Sequence, residues 1–364
     1  MAIEKVNGVE NTEQPQGIQV SLPEAEITPG VTELDDGSAI IGEMQQEIQA
    51  TMPVPFDANL AELIEDGDLG VISSDLVGAI DDDISSRRDW EEQYKGGLEL
   101  LGMNYEDRAE PLLAESVTQF QAQAYREMLP ASGPVRTHIV GAESPELLAQ
   151  AERVKNYMNY QITYEMEEYD PELDQMLFYL PVVGSAFKKV YFDPSMQRAV
   201  SKFVHAEDLI VPYNATDLRS SSRITHVVRM GKNEVRKLQL QGFYRDIDLP
   251  SSDSGGTNYD EVKETIDDIQ GVGKGTSDNE EITLYEIHTD LDLIGFEDIG
   301  QDQEPTGLKM PYVVTIVEKS GEILSIKRNF NEGDPFRRKI PYFIHYKFLP
   351  GLGFYGFGLT HMIG

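Results

Sequence analysis

An α+β fold, with a helical first half packed on a mixed or antiparallel β region and a largely disordered acidic arm in front, is what this sequence predicts. Three observations carry that reading. Residues 1–83 hold nineteen acidic side chains against one basic one, Lys5, and a stretch that charged does not bury a core of its own. From Arg87 to Leu180 apolar residues recur at three- and four-residue steps, the period of a helix. From Gly184 onward the pattern changes to apolar, β-branched and aromatic runs divided by turn formers, as strands require.

The elements follow in order. In the arm, prolines at 15, 23, 29, 53 and 55 break any long period, and only Ile40–Ile48 and Leu60–Ile64 have the apolar spacing for short helices on a partner. A helix beginning near Ser85 carries Trp90, Tyr94, Leu98 and Leu101 on one face and ends about Gly102. A second fits Pro111–Met128, with proline in its first turn, where the missing N–H would go unused, and Pro130, which cannot continue a helix, past its end. A third fits Glu146–Glu168 and a fourth Pro171–Leu180. Residues 84–246 are completed by a hairpin, Ser185–Asp193 and Arg198–Val204, by a strand over Ile224–Met230, and by a short helix over Lys232–Leu240. Residues 247–281, rich in Gly, Ser and Asp, read as a mobile loop. Residues 282–350 read as an antiparallel meander, with Ser320-Gly321 turning between Tyr312–Lys319 and Ile323–Arg328. Residues 351–364 form a glycine-aromatic turn that leads into an apolar helix, and the expectation is that this helix is cut short.

Charge and composition exclude several functions. The chain has 30 Lys and Arg against 64 Asp and Glu, a formal charge of −34. Binding bulk nucleic acid by neutralising phosphates is disfavoured, whereas a negative wall past which DNA slides without sticking is not. With no cysteine there is no disulfide framework, thiolate metal site or cysteine nucleophile. The N-terminus lacks a signal peptide and no apolar run approaches a membrane span, so the chain is expected to be made in the cytoplasm. The sequon at Asn214-Ala215-Thr216 is then a chance match.

The search for chemistry returns no catalytic, cofactor-binding or metal-ligating residue. His138, His205, His226, His288, His345 and His361 form no zinc-type pair and read as structural. Asp81, Asp82 and Asp83, or Asp290 and Asp292, belong to an abundant class and read as solvated; Asp290, Asp292, Gly295 and Asp298 miss the spacing of a calcium loop. Gly271–Thr276 imitates a phosphate loop but sits in the polar segment with the wrong spacing. Gly351-Leu-Gly353-Phe-Tyr-Gly356 matches Gly-x-Gly-x-x-Gly after a strand, but Pro350 intervenes and Phe354 and Tyr355 would crowd a pyrophosphate. It reads instead as a loop offering a large apolar surface through Leu352, Phe354, Tyr355 and Phe357.

Four stretches, in this order, resemble the portal proteins of short-tailed phages, the head-to-tail connector. They are Ser86–Trp90 with Tyr94; Gly184–Asp193 followed by Val204–Pro212; Ile224–Met230 with its short helix; and Pro341 through Gly351 to Leu359. The resemblance spans about residues 85–364 and implies the wing of such a subunit, ahead of the stem and crown. It further implies a homo-oligomeric ring, usually a dodecamer, through which double-stranded DNA is packaged and ejected at the portal vertex of the virion. The implied partners are the large terminase subunit, tail adaptor proteins, and capsid and scaffolding proteins. No cofactor and no bond chemistry are implied, because ATP hydrolysis belongs to the terminase. Two alternatives stand beside this: another phage or prophage head-assembly protein acting through its acidic arm, and a nucleotide-binding enzyme using Gly351–Gly356.

Overall fold

The computed structural model describes residues 31–33, 39–41, 54–107, 112–194, 196–249, 281–300, 302 and 304–363. The chain divides at Val54. In the first part β1 (Val31–Glu33) and β2 (Ala39–Ile41) pair antiparallel. The second part is Pro55–Gly364.

The helices come first. α1 (Asp66–Ser86) buries Leu69, Ser73, Leu76, Ile80 and Asp83 along one face, while Asp66 and Asp68 lie in its first turn, where the helix dipole favours anions. The disordered arm expected over residues 1–83 is therefore corrected from Pro55 onward. Acidity there marks the solvated face of a packed helix, and the apolar positions at steps of three, four and seven are what decide its state. Leu60–Glu62 forms a 3₁₀ turn, and its partner is this chain's own sheet: Asn59 accepts from the Ala61 and Ile326 amides at 3.2 and 3.0 Å and donates to the Leu324 carbonyl at 3.0 Å. The arm's other patch, Ile40–Ile48, lies outside the described residues except for Ile40 and Ile41, which are in β2.

Next come α2 (Arg88–Asp107), α3 (Leu112–Met128), α4 (Pro145–Tyr160) and α5 (Tyr169–Val183). The third expected helix thus ends at Tyr160, runs on as a π turn over Gln161–Glu165, and gives way to α5. Ser144 caps α4 by accepting from the Leu147 amide at 3.2 Å, as an N-cap serine does.

The strands are β3 (Ser185–Asp193), β4 (Arg198–Val204), β5 (Leu209–Ile210), β6 (Arg223–Gly231), β7 (Glu281–Leu291), β8 (Met310–Val317), β9 (Ile323–Arg328) and β10 (Phe343–Lys347), with α6 (Lys232–Leu240) after β6 and α7 (Thr360–Ile363) last. They build two antiparallel sheets, β10-β3-β4 and β5-β6-β7-β8-β9, so the α+β class holds. The hairpin β3–β4 pairs Phe187 with Val204 and Asp193 with Arg198, and Gly321, at φ +69°, makes the β8–β9 turn.

Two expectations are corrected here. The meander over 282–350 stops at β9, because β10 crosses to the other sheet and pairs Phe343 with Lys189. The boundaries at 246 and 282 do not separate domains either: β6 and β7 are neighbours in register from Arg223↔Thr289 to Gly231↔Glu281. The mobile loop expected between them lies outside the described residues over 250–280.

The five-stranded sheet is covered on both faces. Leu69, Leu76 and Ile80 of α1 pack on Tyr285, Ile287, Val314, Ile316 and Ile326. On the opposite face Val235 of α6 packs on Ile282, Leu284, Val317 and Leu324. Two-sided burial explains why β8 is an almost unbroken apolar run rather than an alternating one.

Candidate functional site

The glycine-aromatic loop is the first place to look for chemistry, and its glycines turn out to serve backbone packing. Gly184 ends α5 in the left-handed region at φ +88°, which glycine occupies without penalty. A Cβ there would strike the Gly358 amide and the Phe357 carbonyl carbon and lie 2.6 Å from the Gly356 oxygen; one on Gly358 would strike the Val182 carbonyl. Five of the loop amides are spent within the chain. Phe354 donates to the Tyr213 oxygen at 3.0 Å, Phe357 to the Leu349 oxygen at 3.0 Å, Leu359 to the Pro181 oxygen at 2.7 Å, Gly356 to Ser185 Oγ at 2.7 Å and Gly358 to His361 Nδ1 at 3.1 Å. Within the Gly351–Gly356 pattern the Phe354 and Gly356 amides are thereby closed to a pyrophosphate. The expected apolar surface is also corrected: Phe354 and Tyr355 are buried and only Leu352 stands fully in solvent. Gly184→Ala is expected to destabilise the fold by more than about 2 kcal/mol through positive-φ strain plus the clash, read as a lowered urea midpoint.

Tyr355 leads into a buried polar hub. Arg87, with no exposed surface, donates through Nη1 to the carbonyls of Ala206 and Leu209 at 3.3 and 3.2 Å and to Tyr355 Oη at 3.0 Å, and through Nη2 to the Glu207 carbonyl at 2.8 Å. Glu91 supplies the countercharge at 2.6 Å; burial still pushes its carboxyl above the usual range, against the pull of Arg87. The Tyr355 hydroxyl donates to the Leu209 oxygen at 2.8 Å and accepts from the Val211 amide at 3.2 Å. Its ring stacks on Trp90 at 4.3 Å. A planar guanidinium is suited to collecting several carbonyls of one turn at once, which fixes the 206–211 segment to the start of α2.

A second polar cluster lies between the sheets. Lys189 Nζ on β3 binds both oxygens of Glu286 on β7 at 2.6 Å, and His288 Nε2 meets the same carboxylate at 2.8 Å. Burial alone would raise the Glu286 carboxyl, yet Lys189, then His288 and His226, hold it well below the carboxylate range. Burial, reinforced by Lys189, pushes His226 down to about 4, and burial likewise lowers His288. At neutral pH the cluster is a closed ion pair beside neutral imidazoles.

One pair imitates a nucleophile and its base. Ser185 Oγ lies 3.1 Å from His345 Nε2, but the serine is 1% exposed and its oxygen already accepts from Gly356. The His345 ring stacks between Phe187 at 4.4 Å and Phe354 at 4.7 Å, and burial drops it to about 3. A base needs a proton within reach; His345 is half-buried at the edge of the cleft beside β10, but the serine it faces is buried with its oxygen already engaged.

His205 meets Tyr179 edge to face at 4.6 Å and His361 accepts from the Gly358 amide, while His138 stands in the stretch between α3 and α4. Asp83 pairs with Arg223 at 2.7 Å, leaving Asp81 and Asp82 exposed. Asp298 accepts from Thr306 Oγ1 at 2.7 Å and pairs with Arg337, and Gly295 is a turn at φ +82°. Among the described residues no three His, Asp or Glu side chains are grouped to hold a metal ion, and no helix is long and apolar enough to cross a membrane. Gly271–Thr276 lies outside the described residues. A cleft of about 1120 Å³ beside β10 is lined by Arg219, Lys339, Tyr342 and Lys347, with His288 in its wall.

Sequence reasoning missed Arg87, Lys189 and Glu286. Only Arg87 left a local trace, as the first basic residue after eighty-one positions with no Lys or Arg. No protein-family model and no curated protein matches the chain.

Proposed function

We propose that this chain is a structural portal subunit of a short-tailed phage, supplying the wing of a homo-oligomeric ring through which double-stranded DNA enters and leaves the capsid. It does no bond chemistry. Its partners are further copies of itself, the large terminase subunit, tail adaptors, and capsid and scaffolding proteins, and its place is the portal vertex of the virion.

The observation that carries the reading is the composition of one core. Trp90, Tyr94, Phe187, Val204, Leu209, Ile224, Phe343, Phe354 and Tyr355 form a single buried cluster, and between them they represent all four stretches that carry the resemblance. Segments whose order and spacing suggest one family thus meet as one packed unit, which supports reading them together. The charge of −34 supports the passage of DNA: like-charged walls bind phosphates weakly and let a duplex slip. The buried and already bonded Ser185 hydroxyl and the engaged Phe354 and Gly356 amides support a structural role over the nucleotide-binding alternative.

Negative-stain imaging of the whole chain is expected to give closed rings, about twelve-fold, with a central hole. A chain that remains monomeric by sedimentation at the highest attainable concentration overturns the proposal.

A further inference from the structure

We infer that the exposed face of α4 is a docking surface for a second copy of this chain. The inference rests on the reading of the chain as a ring subunit and names a face through which copies meet.

α4 is sixteen residues long and buries none of them. It is held chiefly from one side, where Asn159 accepts from the Val135 amide at 2.9 Å and donates to the Val135 carbonyl at 3.2 Å. Away from that anchor two adjacent rows at helical spacing face solvent. Leu147, Val154 and Met158 are 43, 44 and 42% exposed, and Tyr157, Tyr160 and Tyr164 are 60, 51 and 73% exposed. A helix that buries none of its residues gains nothing by carrying the first five of these, with Tyr164 following in the π turn, and contiguous apolar patches of this kind mark interaction sites. Tyr160 and Tyr164 are already stacked at 5.7 Å, so part of their ordering is complete before any partner arrives; rigid aromatic residues of this type are favoured as interface anchors.

Charge selects the occupant. Two copies each carrying −34 repel wherever acidic surfaces face each other within the roughly 8 Å screening length of physiological salt. From Pro145 to Tyr164 there are two acidic residues, Glu146 and Glu152, and two basic ones, Arg153 and Lys155, a local balance of zero. Another equally acidic chain can therefore approach on this face without that repulsion, with apolar area available to bury. A lipid surface would call for a basic helix face, which α4 lacks.

The test uses the whole chain with Val154→Glu and Tyr157→Glu together, followed by sedimentation velocity over a concentration series. Because neither residue is buried, circular dichroism is expected to match wild type. The concentration needed for half-assembly is expected to rise at least tenfold, while the control Met196→Glu, at a 56% exposed apolar position off this face, leaves it unchanged. Since the chain has no cysteine, Val154→Cys labelled with a maleimide photocrosslinker gives a second readout, with crosslinks expected to join two copies. Assembly by the double variant at wild-type concentrations overturns this inference and leaves the ring proposal standing. A wild type that never assembles overturns both.

Discussion

Arg87→Ala is expected to lower the unfolding free energy by about 3–5 kcal/mol, the range found when one member of a buried charged network is removed. The truncation strips hydrogen bonds from the Ala206, Glu207 and Leu209 carbonyls and from the Tyr355 hydroxyl, and leaves Glu91 without its 2.6 Å partner. For a chain of this size that corresponds to a melting point lower by about 4–7 °C. Arg87→Lys is expected to recover little, because an ammonium cannot present a planar fork to acceptors on both its edges. A loss below about 1 kcal/mol in calorimetry would mean that water replaces the guanidinium and that the hub contributes little.

The second large effect belongs to the pair between the sheets. Glu286→Gln keeps the shape of the side chain but deprives Lys189 of its countercharge, at an expected loss of about 3 kcal/mol, the low end for a broken buried pair, since 21% of the Glu286 side chain still meets solvent. The pH dependence has a definite sign. The Glu286 carboxyl titrates well below its ordinary range in the folded chain, so its contribution is complete above the unfolded pKa near 4.5 and fades as pH falls through the folded value. His226 is held near 4 against an ordinary 6.5, so between those values the unfolded chain binds more protons and stability again falls with acid. Denaturation of the wild type is therefore expected to show stability declining from about pH 6.5 downward. His226→Phe is expected to flatten the upper part of that decline and Glu286→Gln its lower part. A wild-type stability that stays level from pH 7 to 4 would refute the assignment.

Much of the fold was legible because its signals are local. The hairpin of β3 and β4 and the helix over Lys232–Leu240 were read to the residue, since alternation, turn chemistry and helical spacing all lie within about twenty positions. α1 was misread because net charge was allowed to outweigh Leu69, Leu76 and Ile80, whose spacing was in plain view. β10 was found as a strand but given the wrong neighbour: nothing near Phe343 records that its partner is Lys189, more than a hundred and fifty positions earlier. The same limit hid both polar clusters. Arg87 finds its acceptors 119 to 268 residues away, and Lys189 finds Glu286 at a separation of 97. Such pairs are fixed by topology, and a sequence scanned in windows does not contain them. The glycine-aromatic loop lay between these cases, since its glycines were visible but what they press against was not.

The hub also sets a timetable. Arg87 and Tyr355 are 268 residues apart, and a ribosome adding about 5–20 residues per second takes roughly 10–60 s to cover that distance. During that interval first Trp90 and Tyr94 and then Phe187 are synthesised, but they lack the ring that completes their core. The nascent chain must carry this exposed aromatic surface until Tyr355 emerges, so this core cannot close before the glycine-aromatic loop is made.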